Sequence, residues 1–230
     1  LDIWAGFIFV NLSGADETLS TYLGNLPEKL ESYNFADVEC VRRVEYEVAC
    51  NWKLWVENAL EDYHTPTVHR TSIGEQLTIR EQTTENWDAI HLESEVTVAV
   101  LPADNSPFPH IAGLRGKPAE GTYFIVLYPS TVLACTQDCM WWNQLLPRGP
   151  GRSTMVVAAC FPRTTVERPD FEQEVQKYYE RWDRSIPEDN AICEEQQAGL
   201  SSVFARPGRM SVREPVVHAI DNWILDRVVN

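Results

Sequence analysis

The chain has 230 residues, 44% of them hydrophobic and 23% charged, with 11 glycines and 14 prolines; these globular proportions exclude a disordered chain, a collagen repeat or a coiled coil. Its 19 basic and 34 acidic side chains leave a formal charge of −15. That is the wrong sign for a surface that neutralises phosphates or anionic lipid, so neither nucleic acid nor membrane is an expected partner. Six thinly spread cysteines predict reduced thiols in a cytoplasmic protein, and Cys135-x3-Cys139 lacks the second pair of a zinc knuckle. No apolar run reaches the ~18 residues of a membrane span, and no signal peptide is visible.

Residues 3–10 are aromatic and β-branched, a strand closed by turn residues 11–14. A chain that opens at Leu1 directly on such a run reads as cut from a longer one. Leu19, Leu23, Leu26 and Leu30 then follow at helical spacing across 19–33, interrupted by Pro27. Val44, Tyr46 and Val48 alternate with Glu45 and Glu47 as a half-buried strand, and from 52 to 64 the period turns helical. After the polar stretch 78–86, strands are predicted over 89–92, 96–101, 123–128, 131–134, 140–146 and 153–161. Gly149-Pro150-Gly151 is a plain turn whose glycines follow no phosphate-loop pattern. Residues 171–182 predict an acidic amphipathic helix. Ser185-Ile186-Pro187-Glu188 reads as the start of the next, with Ser as cap, Pro in the first turn and Glu at the capping-box position. That helix is expected to run to about Ala198 and stop at Gly199, and a last one to cover 213–228. Strands joined by turns, with helices before and after them, predict one α+β domain over 1–230 built on a curved antiparallel sheet.

Among five histidines, His64 and His69 lie five residues apart. On one continuous helix Glu57, Glu61 and His64 would share a face, whereas residue 69 would point about 140° away. Pro66 breaks such a helix, and a break between the imidazoles lets both aim at one point. Two imidazoles beside a carboxylate make most of a facial triad for Fe(II). The bland alternative is a solvated amphipathic face, but the flanking Trp52 and Trp55 are too apolar for ordinary surface. Asp189 shares a helix face with Ile192, Cys193 and Gln196, where a carboxylate is costly unless paired or metal-bound. Its alternative role is to complement the helix dipole from a first turn.

At this point Asn51-Trp52-Lys53, Glu57-Asn58 and Glu61-Asp62-Tyr63-His64-x4-His69 resemble the catalytic domain of Rieske-type non-haem iron oxygenase α subunits. Trp4-Ala5-Gly6-Phe7-Ile8-Phe9-Val10-Asn11-Leu12 is similar to that family's entry strand. Glu188-Asp189 with Cys193, Gln197, Gly199 and Leu200 resembles its carboxylate-ligand helix, and Gly208-Arg209, Glu214, Val217-His218 and Trp223 fit its C-terminal pattern. The resemblance implies a helix-grip (START/Bet v1-like) α+β fold, with His64, His69 and Asp189 as ligands of a mononuclear Fe(II). Glu61 falls where the family bridges to a neighbouring subunit's Rieske cluster, and Glu57, Asn58 and Tyr63 fall around the ligands. The spelling Glu-Asp-Tyr-His looks more like members acting on choline, carnitine and betaine-like compounds than like arene dihydroxylases. The family's Cys-x-His and Cys-x-x-His pair is absent, so the 2Fe–2S cluster would belong to an N-terminal domain missing from this chain, and the chain alone is expected to lack multi-turnover activity.

The resemblance further implies O2 and a small organic substrate as reactants, and hydroxylation, demethylation or dihydroxylation as chemistry. Electrons would come ultimately from NAD(P)H through a reductase or ferredoxin, and the assembly would be a homotrimer. Trp141 and Trp142 are candidate substrate-pocket residues, against the alternative of core aromatics; an aromatic cage would suit a quaternary ammonium. His91, His110 and His218 read as satisfied or surface histidines. Two other readings remain at this stage: a non-enzymatic hydrophobic-ligand-binding module of the same fold, and a zinc hydrolase with Glu61 as base.

Overall fold

The computed structural model describes residues 1–12, 16–81 and 86–229. Ser13 and Gly14 of the expected first turn, and 82–85 of the polar stretch, lie outside the described residues. The opening run is not one strand. Strands β1 (Asp2–Trp4) and β2 (Phe7–Phe9) pair antiparallel with Trp4 opposite Phe7. Ala5 and Gly6 between them take φ of 52° and 82°, the two positive angles a two-residue primed turn needs to match strand twist.

The expected helix over 19–33 divides into α1 (Leu19–Leu23), α2 (Leu26–Lys29) and a single 3-10 turn at Glu31–Tyr33. Pro27 is accommodated in the first turn of α2, where its missing N–H has no acceptor to lose. Strand β3 (Val38–Val48) is followed by α3 (Trp52–Asn58), α4 (Thr65–Val68) and the short edge strand β4 (Ile79–Arg80). Then come β5 (Trp87–Glu93), α5 (Lys117–Glu120), β6 (Gly121–Leu127), β7 (Thr131–Cys135), β8 (Met140–Gly149) and β9 (Arg152–Pro162). Helices α6 (Arg163–Val166), α7 (Phe171–Glu174), α8 (Gln176–Leu200) and α9 (Pro215–Val228) complete the chain.

Seven strands form one antiparallel sheet in the order β3-β9-β8-β7-β6-β5-β4. β5 to β9 run as a meander, whereas β3 and β4 occupy opposite edges. The segment between β3 and β4 must therefore cross the whole sheet, and it carries α3, α4 and both histidines of the His-x4-His pair. Side-chain alternation sorts the strand residues onto two faces. Val132, Ala134, Trp141, Val157 and Ala159 pack with Trp55, Tyr178, Trp182, Ile186 and Val216 of the helices. Leu133, Cys135, Met140 and Cys160 pack with Leu23, Leu26, Leu30 and Tyr33 of the N-terminal segment. With both faces covered, β6 and β9 are buried along nearly their whole length, which explains why they read as continuous apolar runs.

Three further expectations from pattern fail for identifiable reasons. Residues 96–101 form no strand; they are a turn-rich loop tied down by the Thr97 hydroxyl on Asp138 (2.7 Å) and by Arg181 on the Val98 carbonyl (3.1 Å). The helix from Trp52 stops at Asn58 rather than reaching His64. Ser185 does not cap a helix: α8 runs unbroken for 25 residues with Pro187 inside it, about 37 Å of rod. Pro187 forfeits one backbone hydrogen bond there, and Tyr178, Trp182, Ile186 and Cys193, all buried in the main core, provide the tertiary packing that holds the helix through it.

Candidate metal centre

Asn51 caps α3 with its side chain, accepting from the Lys53 N–H at 3.1 Å. After Asn58 the chain turns instead of continuing, so Glu57, Glu61 and His64 do not line one helical face. Glu61 folds back over the turn. Its Oε2 accepts the His64 backbone N–H at 3.1 Å and its Oε1 lies 2.7 Å from His64 Nδ1. Asp62 fastens the turn from the other side, accepting from the Thr78 amide and hydroxyl and from Arg213. Partial burial raises its pKa, but those donors outweigh the burial and hold it below the usual carboxylate range.

His64 immediately precedes α4 and His69 immediately follows it. Pro66 sits inside that single turn, at a position where helices accept proline. The break in helix therefore falls before His64 and not between the two imidazoles. Their rings nonetheless converge, with centroids 5.2 Å apart. Asp189 of α8 completes the group: its Oδ1 is 3.1 Å from His69 Nε2 and 3.5 Å from His64 Nε2. All three donor atoms lie within 4.8 Å of one another. Donors ~2.1 Å from one ion and at right angles around it stand about 3 Å apart, so the set fits a metal held on one face.

The outer nitrogens of both rings are also held. His69 Nδ1 lies 2.7 Å from Glu188 Oε2, which in turn accepts from the Ser72 hydroxyl at 2.5 Å. A carboxylate can only accept, so Nδ1 carries a hydrogen in both rings, which leaves Nε2 of each ring as the nitrogen a bound metal would take. Asn58 donates its amide to Asp189 Oδ1 at 2.9 Å. Burial lowers the His69 pKa, but the Asp189 and Glu188 carboxylates override it and lift it above the ordinary imidazole range.

Glu57 hydrogen-bonds to neither ring; the carboxylate on His69 Nδ1 is Glu188. Burial first, then the nearby Asp221 and Glu214 charges against Lys53, push Glu57 up to about 7. Tyr63 points outward and donates to Glu214 at 2.8 Å, fixing the turn to the start of α9. Trp141 and Trp142 are separated by strand parity. Trp141 lines the cleft above the donors, whereas Trp142 packs edge-on against Phe7 on the opposite face of the sheet.

That cleft opens to solvent and has an interior volume of about 80 Å³. Ile90, Phe124, Val132, Ala134 and Trp141 form its apolar wall, and Asn143, Arg181 and Ser185 add polar groups. Glu188, Asn143 and Arg181 are the contributors that pattern reading missed. Their signals were present: Glu188 adjoins Asp189, Arg181 and Ser185 precede it at four-residue steps on one helix face, and Asn143 shares strand parity with Trp141.

Residues 35–229 match the family model of the ring-hydroxylating α subunit, catalytic domain. The chain belongs to that family. Relatives include the chloroplastic choline monooxygenase of Arabidopsis thaliana, 25% identical over 94% of this chain and 51% of that protein. The glycine betaine monooxygenase oxygenase subunit of Chromohalobacter salexigens is 23% identical over 90% of this chain and 53% of its own length. Among solved structures, a quaternary ammonium Rieske monooxygenase superposes with a TM-score of 0.74 at 19% identity, covering 97% of this chain and 59% of that one. Naphthalene 1,2-dioxygenase from Rhodococcus sp., with indole bound, gives 0.71 at 15% identity, covering 97% and 64%. These structural likenesses carry the fold. The chain spans about half the length of the curated relatives it matches. For a ring-hydroxylating catalytic domain a mononuclear iron site is implied, and a His-His-Asp group is present here. Membership tells against the non-enzymatic binding module. Glu61, the base of the hydrolase reading, has both oxygens in contact with His64. No helix among the described residues is long and apolar enough to cross a membrane.

Proposed function

We propose that residues 1–230 act as the catalytic domain of an O2-dependent oxygenase in which His64, His69 and Asp189 hold a mononuclear Fe(II). The observation that carries this reading is the convergence of two Nε2 atoms and one carboxylate oxygen while both Nδ1 atoms are held by Glu61 and Glu188. When bound, the Fe(II) would supply the redox chemistry that joins O2, two external electrons, two protons and substrate, one oxygen atom entering a C–H bond in the monooxygenase case and the other leaving as water.

The chain's own residues do the rest. Glu61 and Glu188 keep the imidazoles in one tautomer and orientation, and Asn58 holds the Asp189 carboxylate from one side. Ile90, Phe124, Val132 and Trp141 exclude water and give the substrate an apolar wall. Glu61 touches a donor ring directly and is the residue to carry an electron from a neighbouring subunit's 2Fe–2S cluster. The same reading includes a homotrimer, a reductase or ferredoxin drawing on NAD(P)H, and a cytoplasmic enzyme. Relatives named for choline, glycine betaine and carnitine favour a small amine-derived substrate and monooxygenation or demethylation.

The test is metal content. Protein prepared anaerobically with Fe(II) is expected to retain about one iron per chain, and His64→Ala and Asp189→Ala to lose it. Equal iron in all three proteins, or none in the parent, overturns the assignment.

A further inference from the structure

Within the cleft, one cation is buried without a counterion. Arg181 is 5% exposed and lines the wall opposite the sheet. Its Nε donates to the Val98 carbonyl at 3.1 Å and one terminal nitrogen donates to Ser185 Oγ at 2.9 Å. The other terminal nitrogen has no protein acceptor among the described residues, and no carboxylate lies within ion-pair distance of the guanidinium. The acidic groups of its own helix whose charges act on it, Asp189 and Glu188, are committed to His69, His64 and Asn58. Burial lowers the Arg181 pKa to about 10, which leaves it charged at neutral pH. A buried guanidinium with two of its five N–H groups engaged is costly unless something completes its shell.

A second orphan lines the same cleft. Asn143 is 4% exposed, and its Oδ1 is buried with no partner. Whichever way the amide is turned, it offers one acceptor and one two-hydrogen donor to the cavity. Arg181, Ser185 and Asp189 follow one stripe of α8 at steps of about 6 Å along its axis. Trp141 is already covered by Arg181, whose guanidinium sits 4.9 Å from the ring centroid, so that ring is not free to receive an ammonium on the same face.

We infer that the cleft recognises a small organic carboxylate, its anionic end bound by Arg181 and Asn143 and its other end directed along α8 toward the His64, His69 and Asp189 donors. A planar guanidinium matches a carboxylate with two parallel hydrogen bonds. A dianion such as phosphate is disfavoured by Glu61, Asp62 and Asp189, which share the cleft. This rests on the oxygenase reading and narrows it to acids over neutral or purely cationic molecules. Arg181 and Asn143 are substrate-anchoring residues in this scheme and take no part in the redox step.

The test is equilibrium titration of Fe(II)-loaded, anaerobic protein with matched probes: γ-butyrobetaine and phenylacetate, each against its own primary amide. The parent is expected to bind at least one acid about 30-fold more tightly than its amide. In Arg181→Gln that preference falls to within about 3-fold. Arg181→Lys keeps part of it, and Asn143→Leu weakens acid and amide alike. Parent protein that shows no preference for either acid, including the case where nothing binds, overturns the inference, as does a preference undiminished in Arg181→Gln. If Arg181→Gln does not fold, the ratio in Arg181→Lys decides: an unchanged ratio sinks the carboxylate fork. Iron measured in the same samples separates the two ideas. Iron held without acid preference overturns the anchor alone, and iron not held overturns the oxygenase reading beneath it.

Discussion

Glu188 and Asp189, adjacent on α8, hold the two nitrogens of a single imidazole: Glu188 Oε2 lies 2.7 Å from His69 Nδ1 and Asp189 Oδ1 lies 3.1 Å from its Nε2. One helical turn of carboxylates thus fixes both the orientation and the tautomer of a ring that belongs to a different element. Removing the outer carboxylate in Glu188→Ala leaves the donor set intact while freeing the ring to rotate. Metal affinity is expected to fall about 10- to 100-fold, read by Fe(II) or Co(II) titration against a chelator. An affinity within 2-fold of the parent defeats this account.

Glu57 gives a pH signature. Its pKa is raised to about 7 in the fold, by burial first and then by Asp221 and Glu214, against about 4.3 in an unfolded chain. Between those values the folded state keeps a proton that the unfolded state has released. The Glu57 contribution is therefore fully present below pH ~4.3 and is lost as pH rises to ~7, at no more than ~1.4 kcal/mol per unit. Denaturant unfolding of the parent and Glu57→Gln from pH 4.5 to 7.5 should show the variant gaining on the parent through this window. Parallel curves contradict it.

Trp141 and Trp142 separate cleft from core. Trp142→Ala removes half-buried packing against Phe7 and should cost about 2–3 kcal/mol of stability, with ligand affinity unchanged in molecules that remain folded. Trp141→Ala opens the cleft wall beneath Arg181 and should weaken probe binding at least tenfold. A Trp142→Ala protein that loses binding as severely as Trp141→Ala shows the parity argument to be wrong.

Tyr63 links the metal turn to α9 through Glu214 at a part-exposed site. Tyr63→Phe deletes one hydrogen bond and should lower stability by about 1 kcal/mol, a Tm drop of about 2–4 °C for a chain of this size. A drop above 8 °C indicates that the hydroxyl supports more than this one contact.

The fold was legible where period and burial agree. β6, β7, β8 and β9 announced themselves as apolar runs between turns, and the last helix, expected over 213–228, is α9 from Pro215 to Val228. It was illegible where a distant contact outvotes a local signal. Ser185-Ile186-Pro187-Glu188 carries every mark of a helix start, yet Ser185 accepts from Arg181 in mid-helix because Tyr178, Trp182 and Ile186 bury α8 through the proline. Val96–Leu101 has strand composition, but its Val98 carbonyl is committed to Arg181 and its Thr97 hydroxyl to Asp138.

The sequence by itself offered candidate donors and their rough placement: His64 and His69 around a proline, Asp189 on a later helix, and an acidic residue three before the first histidine. Those are local facts of spacing, readable because a turn of helix spans only a few residues. Which carboxylate serves which nitrogen was decided by tertiary structure alone. β3 and β4 lie at opposite edges of the sheet, so the histidine segment must cross its face and meet α8. That meeting delivers Glu188 to His69 and leaves Glu57 facing Asp221. It also turns Arg181 and Asn143, nearly forty residues apart in the sequence, into two unmet polar groups in one cleft, a juxtaposition that no pattern along the chain encodes.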